Sequence, residues 1–364
     1  MRKILLFAAA LLTVTAVNAK VWRINYNDNA QADFKTIADA LKYKDFQNGD
    51  VLYIEPGIHA GSTADNTVSK PCTIIGSGWG FRQNSGNDLD ISSTCFTNTI
   101  TISSSDVTIR GIYSNAGISV TGASTQNVII ERNRVEYIVT TGYSVTIKNN
   151  YIYSYNGIYY RAVDINSDFC TIIGNIILRN VYINPNINQA LFDHNTVVSS
   201  YSSSDGVVQS WSSVRHMYTN NIFINTGYPN NVVKGIASNI PFYNNVFSVT
   251  PEAVQQAEDE GNTLYTTLST EKHNKFEGAT NENTFTCKTE GAVYDPAMYY
   301  QVKADAVAKT ADSNGGECGA FGGDSPYVLN GRPQGIPYLY DVDVPKHPTN
   351  NELQVTFKIG SQNE

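Results

Sequence analysis

Asp193-His194 sets a carboxylate beside an imidazole, the pair of types that orients and charges a general base. Arg161 stands three residues before Asp164, within reach of an ion pair, and His216 follows Arg215. Cys72, Cys95, Cys170, Cys287 and Cys318 make an odd number of thiols. None has the CxxC or Cys/His spacing that holds zinc, and no Asp-rich calcium turn repeats. A Gly-x-Ser-x-Gly elbow and a His-Glu-x-x-His pair are also missing. These patterns imply no metal and no cofactor. Cys287 and Cys318 share the C-terminal part, where sequence leaves a disulfide between them open. Tyr143, Tyr151, Tyr153, Tyr155, Tyr159 and Tyr160 crowd into one stretch, as rings that either stack on sugars or cover a surface.

What positions these residues is a phrase repeated from Val128 to Phe247. It reads Val128–Ile130–Asn133–Val135, Val145–Ile147–Asn150–Ile152 and Cys170–Ile172–Asn175–Ile177. It continues as Ala190–Phe192–Asn195–Val197, His216–Tyr218–Asn221–Phe223 and Ile240–Phe242–Asn245–Phe247. Apolar positions fall at −5, −3 and +2 from each Asn, while the asparagines lie 17 to 26 residues apart. Period-two apolar positions in units of that length specify stacked β coils with fixed strands and variable loops. Asn suits the corner between two strands, since it tolerates left-handed backbone and can bond to its copies in adjacent coils. The row is therefore structural. Within it, Cys170 is expected as a buried thiol and His216 as a core histidine with a local hydrogen bond. Asp193 and His194, at −2 and −1 before Asn195, are expected on a solvated turn.

Arg2 and Lys3, the apolar run Ile4–Leu12 and the ending Val17-Asn18-Ala19 read as a secretory leader over residues 1–19. The run is too short to span a membrane. The net charge of −8 becomes −10 without Arg2 and Lys3. An acidic chain with no basic run excludes nucleic acid and anionic membrane as partners. With only 16% charged residues but 23 Tyr and 27 Gly, the composition suits strands and loops. A monomer outside the cytoplasm is expected, whether secreted, periplasmic or at a bacterial cell surface.

Phe34–Tyr43 carries apolar residues at i, i+3, i+4 and i+7 and is predicted helical, placed to cover the open end of the stack. Gly49-Asp50, Val51–Ile54, Glu55-Pro56-Gly57 and Cys72-Thr73-Ile74-Ile75-Gly76 follow. That order resembles the entry to right-handed parallel β-helix proteins of the pectate-lyase-like superfamily, many of them secreted and carbohydrate-active. The resemblance covers roughly 35–330 and implies an all-β, three-strand-coil solenoid with an Asn ladder and an N-terminal capping helix. Residues 77–98 read as an insertion, either a groove-lining loop or a surface excursion. Pro251–Val254 reads as a short helix. The β-helix is expected over 20–330, and 331–364 as a β tail packed on or beside it.

The resemblance also implies that the Asn corner lies between the second and third strands of each coil. The first strands would then be Gly117–Val120, Ile138–Thr140, Ile158–Ala162, Val181–Ile183, Val207–Ser210 and Val232–Lys234. Related enzymes place a substrate groove along that sheet. Tyr159, Arg161, Asp164, Tyr182, Asp205, Gln209, Trp211 and Lys234 gather there. A lyase acting on acidic sugars needs a cation to neutralise a carboxylate and a base to take the neighbouring proton. Arg161 with Lys234 or Tyr159 has those types, leaving Tyr182, Trp211, Asp164, Gln209 and Asp205 for substrate binding. The aspartate cluster and Arg-x-Pro-x-x-Arg stretch of calcium-dependent pectate lyases are absent. So are the Asn-Thr-Asp, Asp-Asp and Gly-His-Gly motifs of the pectin-hydrolysing relatives. The expectation is a β-helix that binds complex carbohydrate without a recognisable catalytic motif. A polysaccharide lyase or glycoside hydrolase of another type is the alternative.

Overall fold

The structure is a computed structural model that describes residues 19–79, 94–153, 161–200, 206–210, 216–234, 241–261, 268, 271–288, 295–331, 338–343 and 355–360. Its body is a parallel β-helix of three sheets, with eight, ten and ten strands. One coil runs Tyr137–Thr140 in sheet I, Tyr143–Lys148 in sheet II and Tyr151–Ile152 in sheet III. The next runs Arg161–Ile165, Cys170–Ile173 and Ile176–Ile177, and every strand pairs in parallel with its copy one coil away. Among the described residues no helix is long and apolar enough to cross a membrane.

The apolar positions of the phrase point inward and stack. Ile74, Ile109, Ile130, Ile147, Ile172, Phe192, Tyr218 and Phe242 share one register column of sheet II, each with no exposed surface. A column of sheet III runs Val135, Ile152, Ile177, Val197, Phe223, Phe247 and Phe276. Both columns turn aromatic toward the C-terminal end, where Tyr218 stacks on Phe242 at 4.3 Å and Phe247 on Phe276 at 5.0 Å. Ile240 lies outside the described residues.

Between sheets II and III the asparagine side chains turn inward and bond along the stack. Asn150 Nδ2 donates to Asn175 Oδ1 at 3.0 Å, and its backbone N–H donates to the same oxygen at 2.9 Å. Its Nδ2 also reaches Ile130 O at 2.8 Å. Asn133, Asn175, Asn195, Asn221 and Asn245 repeat this pattern. Asn274 adds a seventh rung that the phrase misses, since its −5 and −3 positions are Ser269 and Glu271. At the other end Ile112 takes the Asn position, and its N–H donates to Asn133 Oδ1 at 3.2 Å.

One expectation is corrected here. The left-handed residue is not the ladder Asn but the one before it, namely Arg132, Asn149, Gly174, His194, Asn220, Asn244 and His273. Turning the chain one residue earlier leaves the Asn free to aim its amide into the core.

The first coil is closed by α1 (Ile37–Lys42), which buries Ile37, Ala40 and Leu41. It is shorter than the predicted helix because Thr36 Oγ1 caps it, accepting Asp39 N–H at 3.0 Å, while Phe34 instead bridges to Ile24. At the far end α2 (Pro251–Asp259) packs Ala253 and Val254 against the last coil.

Residues 295–331 lie over the outer face of sheet III. Ala297, Ala320 and Tyr327 pack on Trp79, Tyr151 and Ile176, while Val302, Ala308, Ala311 and Cys318 join Ile222, Ile224 and Val246. That cover explains why these strands are apolar on both faces. All five cysteines are unpaired; Cys287 Sγ donates to Asn281 O and Cys318 Sγ to Asn244 O. The tail forms an antiparallel pair, Tyr338–Asp343 with Thr356–Gly360.

Replacing Asn175 with Ala strands the two Asn150 donors that share its Oδ1, removes the amide donor from Ile147 O, and leaves Asn195 Oδ1 with the residue-175 backbone N–H alone. The expected loss is about 2–5 kcal/mol in denaturant unfolding, from buried groups left unpaired. A loss below about 0.5 kcal/mol, the size of an ordinary surface substitution, would contradict it.

Candidate functional site

One register line of sheet I crosses five coils, Val139, Asp164, Tyr182, Gln209 and Lys234, with Val139, Asp164 and Tyr182 half-buried on the outward side. Four of the candidate residues therefore occupy one line, set by strand pairing alone. Arg161 joins it from the start of its strand. That strand is Arg161–Ile165, three residues later than the expected Ile158–Ala162, with a bulge between Arg161 and Val163 that buries Ala162 and Val163 together. The shift keeps Arg161 half-exposed, and its Nη1 donates to Asp164 Oδ2 at 3.1 Å. Its guanidinium carbon sits 3.6 Å from the centre of the Tyr182 ring. Asp164 also accepts Asn166 Nδ2 at 2.7 Å, and Asn184 Nδ2 bonds Asn166 Oδ1 at 3.0 Å. Gln209 is largely buried. Tyr159, Asp205, Trp211 and the side chain of Lys234 lie outside the described residues, as do Arg215, Tyr155 and Tyr160.

Chemically, the Arg161 charge is answered by Asp164 and one face of Tyr182 is taken. The group offers hydrogen-bond donors and acceptors around a stacked pair. A bare cation poised for a carboxylate it is not.

At the corner leading from sheet I to sheet II, Tyr143 and Phe169 lie on neighbouring coils with ring centres 5.1 Å apart, both more than 40% exposed. Phe169 has φ +56°, a left-handed backbone that costs a residue with a Cβ about 1–2 kcal/mol. Asp168 fixes this corner: its carbonyl accepts Ser144 N–H at 2.8 Å, and its carboxylate accepts Asn188 N–H at 2.6 Å. The left-handed backbone recurs at this corner, at Asp106, Asn127 and Ser144, so it belongs to the fold, and what Phe169 adds is the exposed ring. Sequence reading missed Phe169, whose only signal is its place just before the inward Cys170. Of the other tyrosines, Tyr151 is buried under residues 295–331, and Tyr153 donates to Ser114 O at 3.1 Å beside Arg134.

An open cleft of about 700 Å³ lies between the N-terminal cap and the first coil. Tyr26, Asn27, Lys35, Ile58 and Asp65 line it. Lys35 is paired to Asp28.

The turn at Asp193-His194 is not solvated. Residues 312–323 cover it: a Cβ on Gly323 would fall 2.9 Å from the His194 ring. His194 Nδ1 and Asp193 Oδ2 are 2.9 Å apart, and Nε2 lies 3.7 Å from Asp312 Oδ2. Asp193 Oδ1 accepts Thr219 Oγ1 at 2.6 Å and Asn220 Nδ2 at 2.9 Å. Burial opposes charge on the ring, but the Asp193 bond and charge, with Asp312, outweigh it and raise the His194 pKa. Burial likewise opposes the Asp193 charge, yet its bonds from His194 and Thr219 bring its pKa down. Enclosed between two carboxylates, His194 is a clasp for the C-terminal segment. His216 is buried in the core as expected, but its ring nitrogens find no local hydrogen-bond partner among the described residues, and burial lowers its pKa.

No protein-family model and no curated protein sequence match the chain. Among solved structures it is similar to a rhamnogalacturonan lyase, at 12% identity and a TM-score of 0.32, over 62% of this chain and 87% of that one. At that score the likeness carries no argument about function, and the fold rests on the three parallel sheets themselves.

The His194 clasp sets a pH dependence. A raised folded-state pKa stabilises fully below the unfolded value of about 6.5 and is lost as pH rises through the folded value. The lowered Asp193 pKa works at the acid side, stabilising above about pH 4 and lost as pH falls. Wild-type melting temperature should therefore fall between pH 6 and 9 by more than that of His194→Gln, measured by calorimetry. Parallel profiles for the two proteins would rule out the clasp.

Proposed function

We propose that the protein binds complex carbohydrate across the outward face of sheet I, with Tyr143 and Phe169 as an apolar platform at its edge. The observation that carries this reading is the in-register pair Asp164 and Tyr182, continued by the largely buried Gln209, with Arg161 stacked on Tyr182. Coils in register repeat polar groups at the strand spacing of ~4.8 Å, comparable to the length of one sugar unit. Exposed rings at the border supply faces for sugar C–H groups at small entropic cost.

Binding without catalysis is favoured over β-elimination. A lyase needs an unsatisfied cation at the sugar carboxylate, and Arg161 is already matched by Asp164 and shared with Tyr182. The same pairing favours hydroxyl-rich, uncharged stretches of glycan over acidic ones, since a sugar carboxylate would compete with Asp164.

A glycan array carrying neutral and uronic-acid polymers, followed by titration calorimetry on the best binder, tests this. Tyr182→Ala and Phe169→Ala should each weaken binding about tenfold, or ~1.4 kcal/mol, with melting behaviour kept. The same polymers should yield neither unsaturated products by ultraviolet absorbance nor new reducing ends. Undiminished affinity in both folded variants would place any ligand elsewhere, and unsaturated products would return the lyase reading.

A further inference from the structure

Lys20 is the first residue after the leader read from the sequence, and its backbone N–H donates to Asp50 Oδ1 at 2.9 Å. Asp50 is only 2% exposed. Its other oxygen accepts Trp22 Nε1 at 2.8 Å and Gln47 N–H at 3.0 Å. All three donors are uncharged. Burial pushes the Asp50 pKa up, but the bonds from Gln47, Trp22 and Lys20 outweigh it and bring the carboxyl below its ordinary value, with a smaller pull from the Lys20 side-chain charge. That side-chain ammonium rests 3.4 Å from the Trp22 ring centre. The buried Cys72 thiol also faces the carboxylate and is pushed up to about 12 by burial and that charge.

A buried anion whose direct hydrogen-bond donors are all neutral gains when one of them becomes a cation, because charge-assisted bonds are roughly twice as strong. Only one of the three nitrogens can change that way. Ala19 and Lys20 are exposed, so the bond between them lies at the surface. The Lys20 carbonyl is already fixed by Val51 N–H at 2.8 Å, at the start of the pairing of Val21–Ile24 with Val51–Ile54.

We propose that cleavage of the Ala19–Lys20 bond converts the Lys20 nitrogen into an α-ammonium that forms an ion pair with the buried Asp50 carboxylate, so that leader removal completes the N-terminal cap. Hydrolysis by a processing peptidase adds one water. Ala19 leaves with the new carboxylate, and Lys20 keeps an amine that takes up a proton, since α-amines titrate near 7.7–8.0. The nitrogen already stands at hydrogen-bond distance from Oδ1. The pair raises the folded-state pKa of the amine, so its stabilisation is present below about pH 8 and lost as pH rises through the raised value. The proposal rests on the leader reading and is independent of glycan binding.

Two measurements test it separately. The full-length chain is secreted from a bacterial host and its N-terminus read by intact mass, with Lys20 expected first. In parallel, a chain beginning at a free Lys20 amine is compared with one retaining Asn18-Ala19 before it. At pH 7 the free-amine chain should melt about 2–4 °C higher. That gap should close well above pH 8, and chemical labelling should show the amine titrating above its ordinary range. Asp50→Asn should abolish the gap; if that variant does not fold, the pH course of the gap and the labelling decide. Equal melting temperatures with an ordinary amine would overturn the ion pair. A secreted chain beginning elsewhere would overturn the cleavage site.

Discussion

At the corners between sheets II and III from Asn133 to Asn274 the backbone turns inside the protein, and inward asparagine amides answer its N–H and C=O groups. Each carbonyl oxygen takes the backbone N–H and the amide of the preceding coil's Asn, and each amide nitrogen reaches back to a strand carbonyl such as Ile147 O or Phe192 O. The bonds are made coil to coil, so they fix the stacking register as well as the turn. A slip by one residue would carry the apolar columns outward and leave the corner groups unpaired at once.

That register is what gives sheet I its character as a surface. Asp164, Tyr182 and Gln209 are far apart in sequence and come from three coils, yet each is the partner of the next in the strand ladder. Loops of different length between coils do not disturb them, because strand pairing and the asparagine corner keep the register. Sheet III has the opposite fate. Its outer face is apolar and is covered by residues 295–331, anchored where Asp312 and Gly323 enclose His194. One face is thus spent on holding the chain's own C-terminal segment, and sheet I is the face on which glycan binding is proposed.

Much of this was legible in the residues, and the failures have physical causes. The ladder showed because inward positions on stacked strands keep one spacing from their Asn. Asn274 escaped because its strand-side contact comes from Leu268, outside that spacing. The strand at Arg161 was misplaced because Ile158–Ala162 and Arg161–Ile165 both carry inward-compatible residues, and only pairing with Asn180–Ile183 chooses between them. The burial of Asp193-His194 could not be read locally, since its cover lies in residues 312–323. Phe169 was overlooked because an exposed ring on strained backbone leaves no mark in apolar periodicity.

The claim on which the fold and the site both depend is that the asparagine column, made coil by coil, holds the stack in register. Amide hydrogen exchange on the native protein measures it most directly, at the backbone N–H groups of Asn150, Asn175, Asn195 and Asn221. Each donates to the oxygen of the next Asn. They should exchange among the slowest amides of the chain, together with the inward strand positions on either side. Exchange as fast as that of exposed loop amides, with the strands still protected, would mean that the core holds the stack and the asparagines only decorate its corner.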